Sequence, residues 1–339
     1  MRLSAFSYRV YRYIKEHDLI REGDSVLIGL SGGADSVCLF LCLEEIRKKM
    51  PISLSVMHVM HNIRGEEADR DEAFAEKLAG RFGIPYVTSS VDAPDYAKKE
   101  GLSLEEAARI LRYRALNEEA EKAGAKIAVA HQKDDQAETV LFHLIRGSSL
   151  KGMTGMQPKN GRLIRPLLFL SGEEIRSHLS SLGETFCLDS TNLDTDYARN
   201  AIRLQILPEL SRINAGAADH ICRAAKEWGR IEGYLEEKTK KAYLQTVHHE
   251  GEALFLPKKA VEELDEILRD RVLYMALSEA AGQKKDLSEV HVTALLKLFS
   301  SEGGKRIELP YGITAQRKRG GIEIRLHDQH FLSDGRSDL

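Results

Sequence analysis

The six residues Ser31-Gly32-Gly33-Ala34-Asp35-Ser36 have the composition of an anion cradle. Paired glycines let backbone N–H groups converge on one point, and a helix starting directly behind them adds partial positive charge, so a phosphate or pyrophosphate fits there. The loop lacks the Gly-Lys-Ser/Thr ending of a Walker loop and the spacing of the dinucleotide fingerprint, which argues against both of those nucleotide-binding classes. Ser-Gly-Gly alone is most often a turn. An Asp and a Ser placed just after it, at a strand-to-helix junction, favour the phosphate reading. Other residues able to do chemistry fall in groups along the chain: His58 and His61; Arg109 and Arg112; His131 with Asp134, Asp135 and Glu138; Arg199, Asn200 and Arg203; and the basic run Arg317-Lys318-Arg319.

The surrounding pattern supplies elements that can hold these groups. Phe6, Val10, Tyr13 and Ile14 have helical spacing, and Val26 to Leu30 form the apolar run of a strand covered on both faces. Strands are expected at 52–59, 84–91 and 126–130, with helices at 66–82, at 103–122 behind the capping box Ser103–Glu106, and at 134–146. Such alternation means a parallel sheet with helices on both faces, and ligands in such sheets sit beyond the carboxyl ends of the strands. Those ends are Ser31, His58 and His131. The glycine-rich stretch 147–158 reads as a loop over the site, and Ser171–Glu174 as a second capping box. Residues 189–196 are rich in Asp, Asn and Thr, and a long charged helix is expected from about 213 to 246. Beyond it come helices at 258–282 and 286–299 and a β-hairpin pairing 306–309 with 321–325. The expected fold class is therefore α/β, a doubly wound parallel sheet followed by a smaller, mostly helical domain with a β-hairpin. The domains are placed at 1–215 and 216–326, with a loose tail over 327–339.

A hydrophobic fraction of 42% and a charged fraction of 30% in 339 residues suit a soluble protein with room for two domains. No run has signal-peptide or transmembrane character, so no membrane partner is expected. With a formal net charge of −3, any nucleic acid has to be held by local patches. The four cysteines, Cys38, Cys42, Cys187 and Cys222, form no C-x-x-C pair. They read as packing residues of a reducing, cytoplasmic compartment.

The loop 31–36 resembles the pyrophosphate loop S-G-G-x-D-S of the ATP-pyrophosphatase superfamily. Taken in order with His58 to Arg64, Glu106 to Tyr113, Ala130 to Thr139 followed by Arg146-Gly147, and Tyr197 to Arg203 with Leu207-Pro208, it resembles the tRNA(Ile)-lysidine synthase family. The likeness is specific to about Leu210 and fainter beyond. It implies a PP-loop catalytic domain, a tRNA-binding second domain, and a two-step reaction on the wobble cytidine of a tRNA(Ile) with a CAU anticodon. ATP adenylates the ring carbonyl with loss of pyrophosphate, and free lysine then displaces AMP. The resemblance assigns ATP to Ser31, Gly32, Gly33, Ala34, Asp35, Ser36, His58 and Arg109. It makes Asp35 and Asp135 ligands of Mg²⁺, and counts Arg112 and His131 as catalytic together with both aspartates. Glu138 is assigned to the lysine ammonium, and Arg199, Asn200 and Arg203, together with the basic hairpin loop Arg317-Lys318-Arg319, are candidates for RNA phosphate contacts. A homodimer is left open. Each assignment has a plainer alternative: Arg109 and Arg112 as partners of Glu105 or Glu119, Asp134 and Asp135 as helix-starting acids, His58 and His61 as buried structural histidines, Arg317 to Arg319 as a solvated turn. Departures are Gln132 where a second His is common, which puts a proton-transfer role at that position in doubt, and Met60 and Asn62 where Asn and Gly are usual. The competing functions are a tRNA-thiolating PP-loop enzyme, for which paired cysteines are missing, and a nucleotide-sensing RNA-binding module, against which intact Asp35 and Asp135 argue.

Overall fold

The computed structural model describes residues 3–62, 66–187, 198–282 and 287–326. The chain divides into two compact units, Met1–Trp228 and Gly229–Leu339. In the first unit the order is α1 (Ala5–Glu16), β1 (Ser25–Gly29), α2 (Ala34–Arg47), β2 (Ser53–Met60), α3 (Glu66–Arg81), β3 (Tyr86–Ser90), α4 (Ala93–Glu100), α5 (Leu104–Lys122), β4 (Lys126–Ala128) and α6 (Lys133–Ile145). There follow α7 (Leu150–Met153), β5 (Lys159–Asn160), β6 (Leu163–Ile164), α8 (Gly172–Leu182), α9 (Ala198–Ala201), a π-helical turn Ile202–Ile206, α10 (Leu207–Ile213) and α11 (Ala217–Thr246), inside which the two units divide.

Six strands form one sheet in the order β3-β2-β1-β4-β6-β5, parallel except for the short β5–β6 pair. Successive side chains of a strand point to opposite faces, and β1 shows what that achieves here. Val26 and Ile28 join the core shared by α1, α2 and α8, whereas Leu27 joins the one shared with α5, where Leu116 and Ala120 are buried. At about 25 cal/mol per Å² of apolar surface removed from water, these two layers are what hold the sheet against its helices. The strand order reverses between β1 and β4, which opens a crevice at their carboxyl ends. The loop 30–36 and the segment 129–135 both leave the sheet at that crevice.

Helix starts follow the sequence signals. Ser171 and Glu174 make both halves of a capping box at α8, while Ser103 Oγ accepts from Glu106 N at α5. Elements that escaped the sequence reading include α4, capped by Asp92, and the β5–β6 hairpin. The stretch 147–158 is less of a loop than expected. It contains α7 and is tied to α6, with Gln136 Oε1 accepting from Met156 N at 2.6 Å and Gln136 Nε2 donating to Met156 O at 3.1 Å. Residues 63–65, 189–196, Tyr197 and the tail 327–339 lie outside the described residues.

The second unit contains β7 (His248–Glu250), β8 (Ala253–Pro257), α12 (Lys258–Glu262), α13 (Glu266–Ala281), α14 (Glu289–Phe299), β9 (Arg306–Leu309), β10 (Ile313–Lys318) and β11 (Gly321–Leu326). Its strands form an antiparallel sheet in the order β7-β8-β11-β10-β9. The expected pairing of 306–309 with 321–325 is corrected: β10 lies between them and is the hairpin partner of both. The apolar faces of α13 and α14 close over this sheet, burying Leu273, Leu277 and Leu295 against Leu256, Ile313 and Ile324.

Candidate active site

The pyrophosphate-type loop is built by its own side chains. Ser36 Oγ donates to Gly33 O at 2.9 Å and accepts from Ser31 N at 3.2 Å, pulling the first turn of α2 back onto the strand end. Gly32 has φ +87°, a backbone that L side chains rarely adopt, and a Cβ there would lie 3.3 Å from Cys187 Sγ. Gly33 is the N-cap residue of α2, so the helix presents its unpaired N–H groups at the loop. His58, at the end of β2 and 5% exposed, donates from Nδ1 to Leu30 O at 2.8 Å. A carbonyl only accepts, so this nitrogen carries the proton, and His58 acts here by fastening the loop.

Asp35 and Asp135 come from α2 and α6, a hundred residues apart in sequence, and the reversal of strand order brings them together. Burial, then the Asp135 charge, push the Asp35 carboxyl up to about 7, against the opposing pull of Arg203 and Arg176. Asp135 is also raised by burial, while Gln132 N, donating to its Oδ2 at 2.9 Å, favours the charged form. Glu138, one turn on and 6% exposed, is pushed up to about 7 by burial and then by Asp135; its Oε1 lies 3.6 Å from Arg203 Nε. Arg203 stands on the π-helical turn, an irregularity that recurs at functional sites because it re-aims side chains out of helical register.

Two half-buried carboxylates, of which the Asp135 charge raises the pKa of Asp35, form a site short of positive charge, and this fits a divalent cation. Among the described residues there is no group of three His, Cys, Asp or Glu set for a metal. A pair of carboxylates suits Mg²⁺, which keeps several waters and shares substrate phosphate oxygens.

Around this acidic centre stand the basic groups. His131 lies just beyond β4, and its pKa is held well below the usual histidine range by burial and then by Arg112, Arg165, Arg109 and Arg199. Arg109 and Arg112 both lie over the Tyr113 ring, at 5.4 Å and 5.3 Å. Arg199 faces the Phe142 ring at 5.8 Å, which Arg146 also covers at 4.2 Å. Asn200 is half-buried on α9. The structure thus gathers Ser31, Asp35, Asp135, Glu138, His131 and the arginines 109, 112, 199 and 203 around one crevice. Arg317 belongs to the second unit, where its Nη1 folds back onto Gly321 O at 2.7 Å and stabilises its own hairpin turn.

Two of the three departures, Gln132 and Asn62, have local causes. Gln132, 2% exposed, is the N-cap of α6, its Oε1 accepting from Asp134 N at 2.8 Å. Asn62 adopts φ +54°, the left-handed region in which Asn and Gly are tolerated best, so it does the conformational work of a glycine. Sequence reasoning missed Arg165 and Arg176. The signal for Arg165 was present: a lone arginine inside the apolar run 163–168 has to be buried with the strand that carries it.

A parallel sheet with a Ser-Gly-Gly-x-Asp-Ser loop at its switch point and an acidic pair facing that loop defines a PP-loop ATP-binding domain, and residues 3–210 match the family described as PP-loop domain. The tRNA(Ile)-lysidine synthase of Dehalococcoides mccartyi is 36% identical over 318 residues, covering 91% of this chain and 68% of that protein. That of Caldanaerobacter subterraneus is 34% identical over 319 residues, covering 94% and 68%. The chain belongs to the tRNA(Ile)-lysidine synthase family. Its fold is also similar to that of a U34-tRNA thiolase from Methanococcus maripaludis, with TM-score 0.54 and 21% identity over 66% of this chain and 78% of that one.

Proposed function

We propose that this ATP-dependent ligase converts the wobble cytidine of a CAU-anticodon tRNA(Ile) to lysidine in two steps within the crevice. A ring carbonyl oxygen is a poor leaving group, so it is first adenylated: the oxygen attacks the α-phosphorus of ATP and pyrophosphate departs. The amino group of free lysine then bonds to the same ring carbon, and the carbon–oxygen bond breaks with AMP taking the electron pair. The observation that carries this reading is the meeting of the loop 31–36 with Asp35 and Asp135 at the strand-order reversal of a chain belonging to this family.

In this reading the backbone N–H groups of 31–36 and the α2 N-terminus hold the leaving pyrophosphate, and Arg109 and Arg112 bind phosphate oxygens. Asp35 and Asp135 would hold Mg²⁺, which when bound neutralises phosphate charge. Glu138, buried and beside Arg203, receives the lysine ammonium; Arg199, Asn200 and Arg203 meet the RNA. Most of the catalysis is charge neutralisation and positioning. Free cysteines at 38, 42, 187 and 222 agree with action in the cytoplasm. Among the described residues no helix is long and apolar enough to cross a membrane. The test is incubation with ATP, radiolabelled lysine and a CAU-anticodon transcript. Label in the RNA is expected, and an unlabelled transcript beside consumed ATP overturns the reading.

A further inference from the structure

Arg165 follows β6 and is only 6% exposed. Burying a guanidinium is costly unless its N–H groups find acceptors. Its Nη1 donates to Gln157 O at 2.7 Å, and its Nε donates to His131 Nδ1 at 3.1 Å. The second bond constrains the histidine. An arginine Nε–H is a donor only, so Nδ1 of His131 has to offer its lone pair and carries no proton. The neutral ring then has its hydrogen on Nε2. An imidazolium would set N–H against N–H, and Arg112, Arg109 and Arg199 oppose its charge from the α5 and α9 sides.

We propose that Arg165 is a positioning residue for the reaction, and that through it His131 serves the substrate as a single Nε2–H donor and not as a proton acceptor. This rests on the two-step reaction above. A fixed N–H donor suits a phosphoryl oxygen that gains negative charge during adenylation. The proton that lysine sheds before it attacks then goes to a carboxylate of the crevice rather than to His131. β6 matters to the chemistry for this reason: its pairing with β4 sets Arg165, just past β6, beside His131, just past β4.

The experiment reads the tautomer directly. Protein labelled with ¹⁵N-histidine is compared with His131→Gln to assign the His131 signals, without substrate, at neutral pH. The expected wild-type signature is a protonated Nε2 and a bare Nδ1. Arg165→Met releases Nδ1, so the two tautomers mix, and kcat for tRNA-dependent ATP–pyrophosphate exchange falls about tenfold or more, by analogy with loss of a preorganised donor. KM for ATP stays within about twofold. Arg165→Lys, which can donate one hydrogen bond, restores the tautomer and part of the rate, and it keeps the test open if the Met variant does not fold. A proton on Nδ1 in the wild type overturns the proposal, as does a folded Arg165→Met variant with wild-type kcat. The tautomer is read without turnover, so absence of lysine transfer by the wild type counts against the reaction and not against the role of Arg165.

Discussion

Replacing Asp35 by asparagine keeps the shape of the side chain and removes the charge that Asp135 repels. The carboxyl sits at about 7 in the folded protein and near 3.9 in the unfolded chain. Between those values the native state holds a proton that the unfolded state has released, so stability falls as pH rises from about 4 to 7. At ~1.4 kcal/mol per pH unit the full rise corresponds to ~4 kcal/mol. Asp35 is half-buried and meets some water, which reduces the expected loss to roughly 1–3 kcal/mol. An asparagine at this position cannot ionise and escapes that loss. Thermal unfolding in EDTA at pH 8 is therefore expected to show Asp35→Asn melting higher than wild type by roughly 4–8 °C for about 2 kcal/mol, with the gap shrinking to about a third of that at pH 5. Adenylation should fall by on the order of 10²-fold in the same variant. An Asp35→Asn protein that melts no higher than wild type at pH 8, or that gains equally at pH 5, refutes the claim that the site is short of positive charge.

Gly155 has φ +63°, and a Cβ there would come within 2.7 Å of the Gln136 amide, so Gly155→Ala should cost about 1–3 kcal/mol in denaturant unfolding and loosen the stretch that Gln136 ties down. Gln132→Ala removes the α6 N-cap and should cost about 1 kcal/mol, measured the same way. Affinity for tRNA should weaken with salt at a log–log slope of about −3 to −4 if roughly four phosphates are engaged, and Arg199→Ala with Arg203→Ala should flatten it; an unchanged slope in a folded double variant puts the RNA path elsewhere. Replacing all four cysteines should leave lysine transfer largely intact apart from a stability loss at buried Cys38 and Cys42, because sulfur has no part in the proposed chemistry.

The loop 31–36 was legible because a buried strand, a glycine pair and a helix start are local signals that need no tertiary knowledge. Alternation of strands and helices likewise announced the parallel sheet. The meeting of Asp35 with Asp135 was reached only through resemblance, since it depends on β1 and β4 being neighbours, a fact of strand order that periodicity does not carry. In the second unit β10 was missed because its inward residues are Ile313 and Ala315, with Thr314 between them and Gln316, Arg317 and Lys318 after them, too weak an alternation to read as a strand. β7 is short and exposed on every residue, so it has no hydrophobic face to betray it. Arg165 was visible as an arginine in an apolar run, but only coordinates reveal that its Nε finds His131.

The central claim is that the base on the RNA, not the amino acid, is what ATP activates in this crevice. Isotope exchange between pyrophosphate and ATP tests it most directly, run with a CAU-anticodon tRNA and with lysine in turn. The account predicts exchange that needs the tRNA and proceeds without lysine. Exchange that needs lysine and proceeds without RNA would mean that the carboxyl of the amino acid is adenylated, and would contradict it.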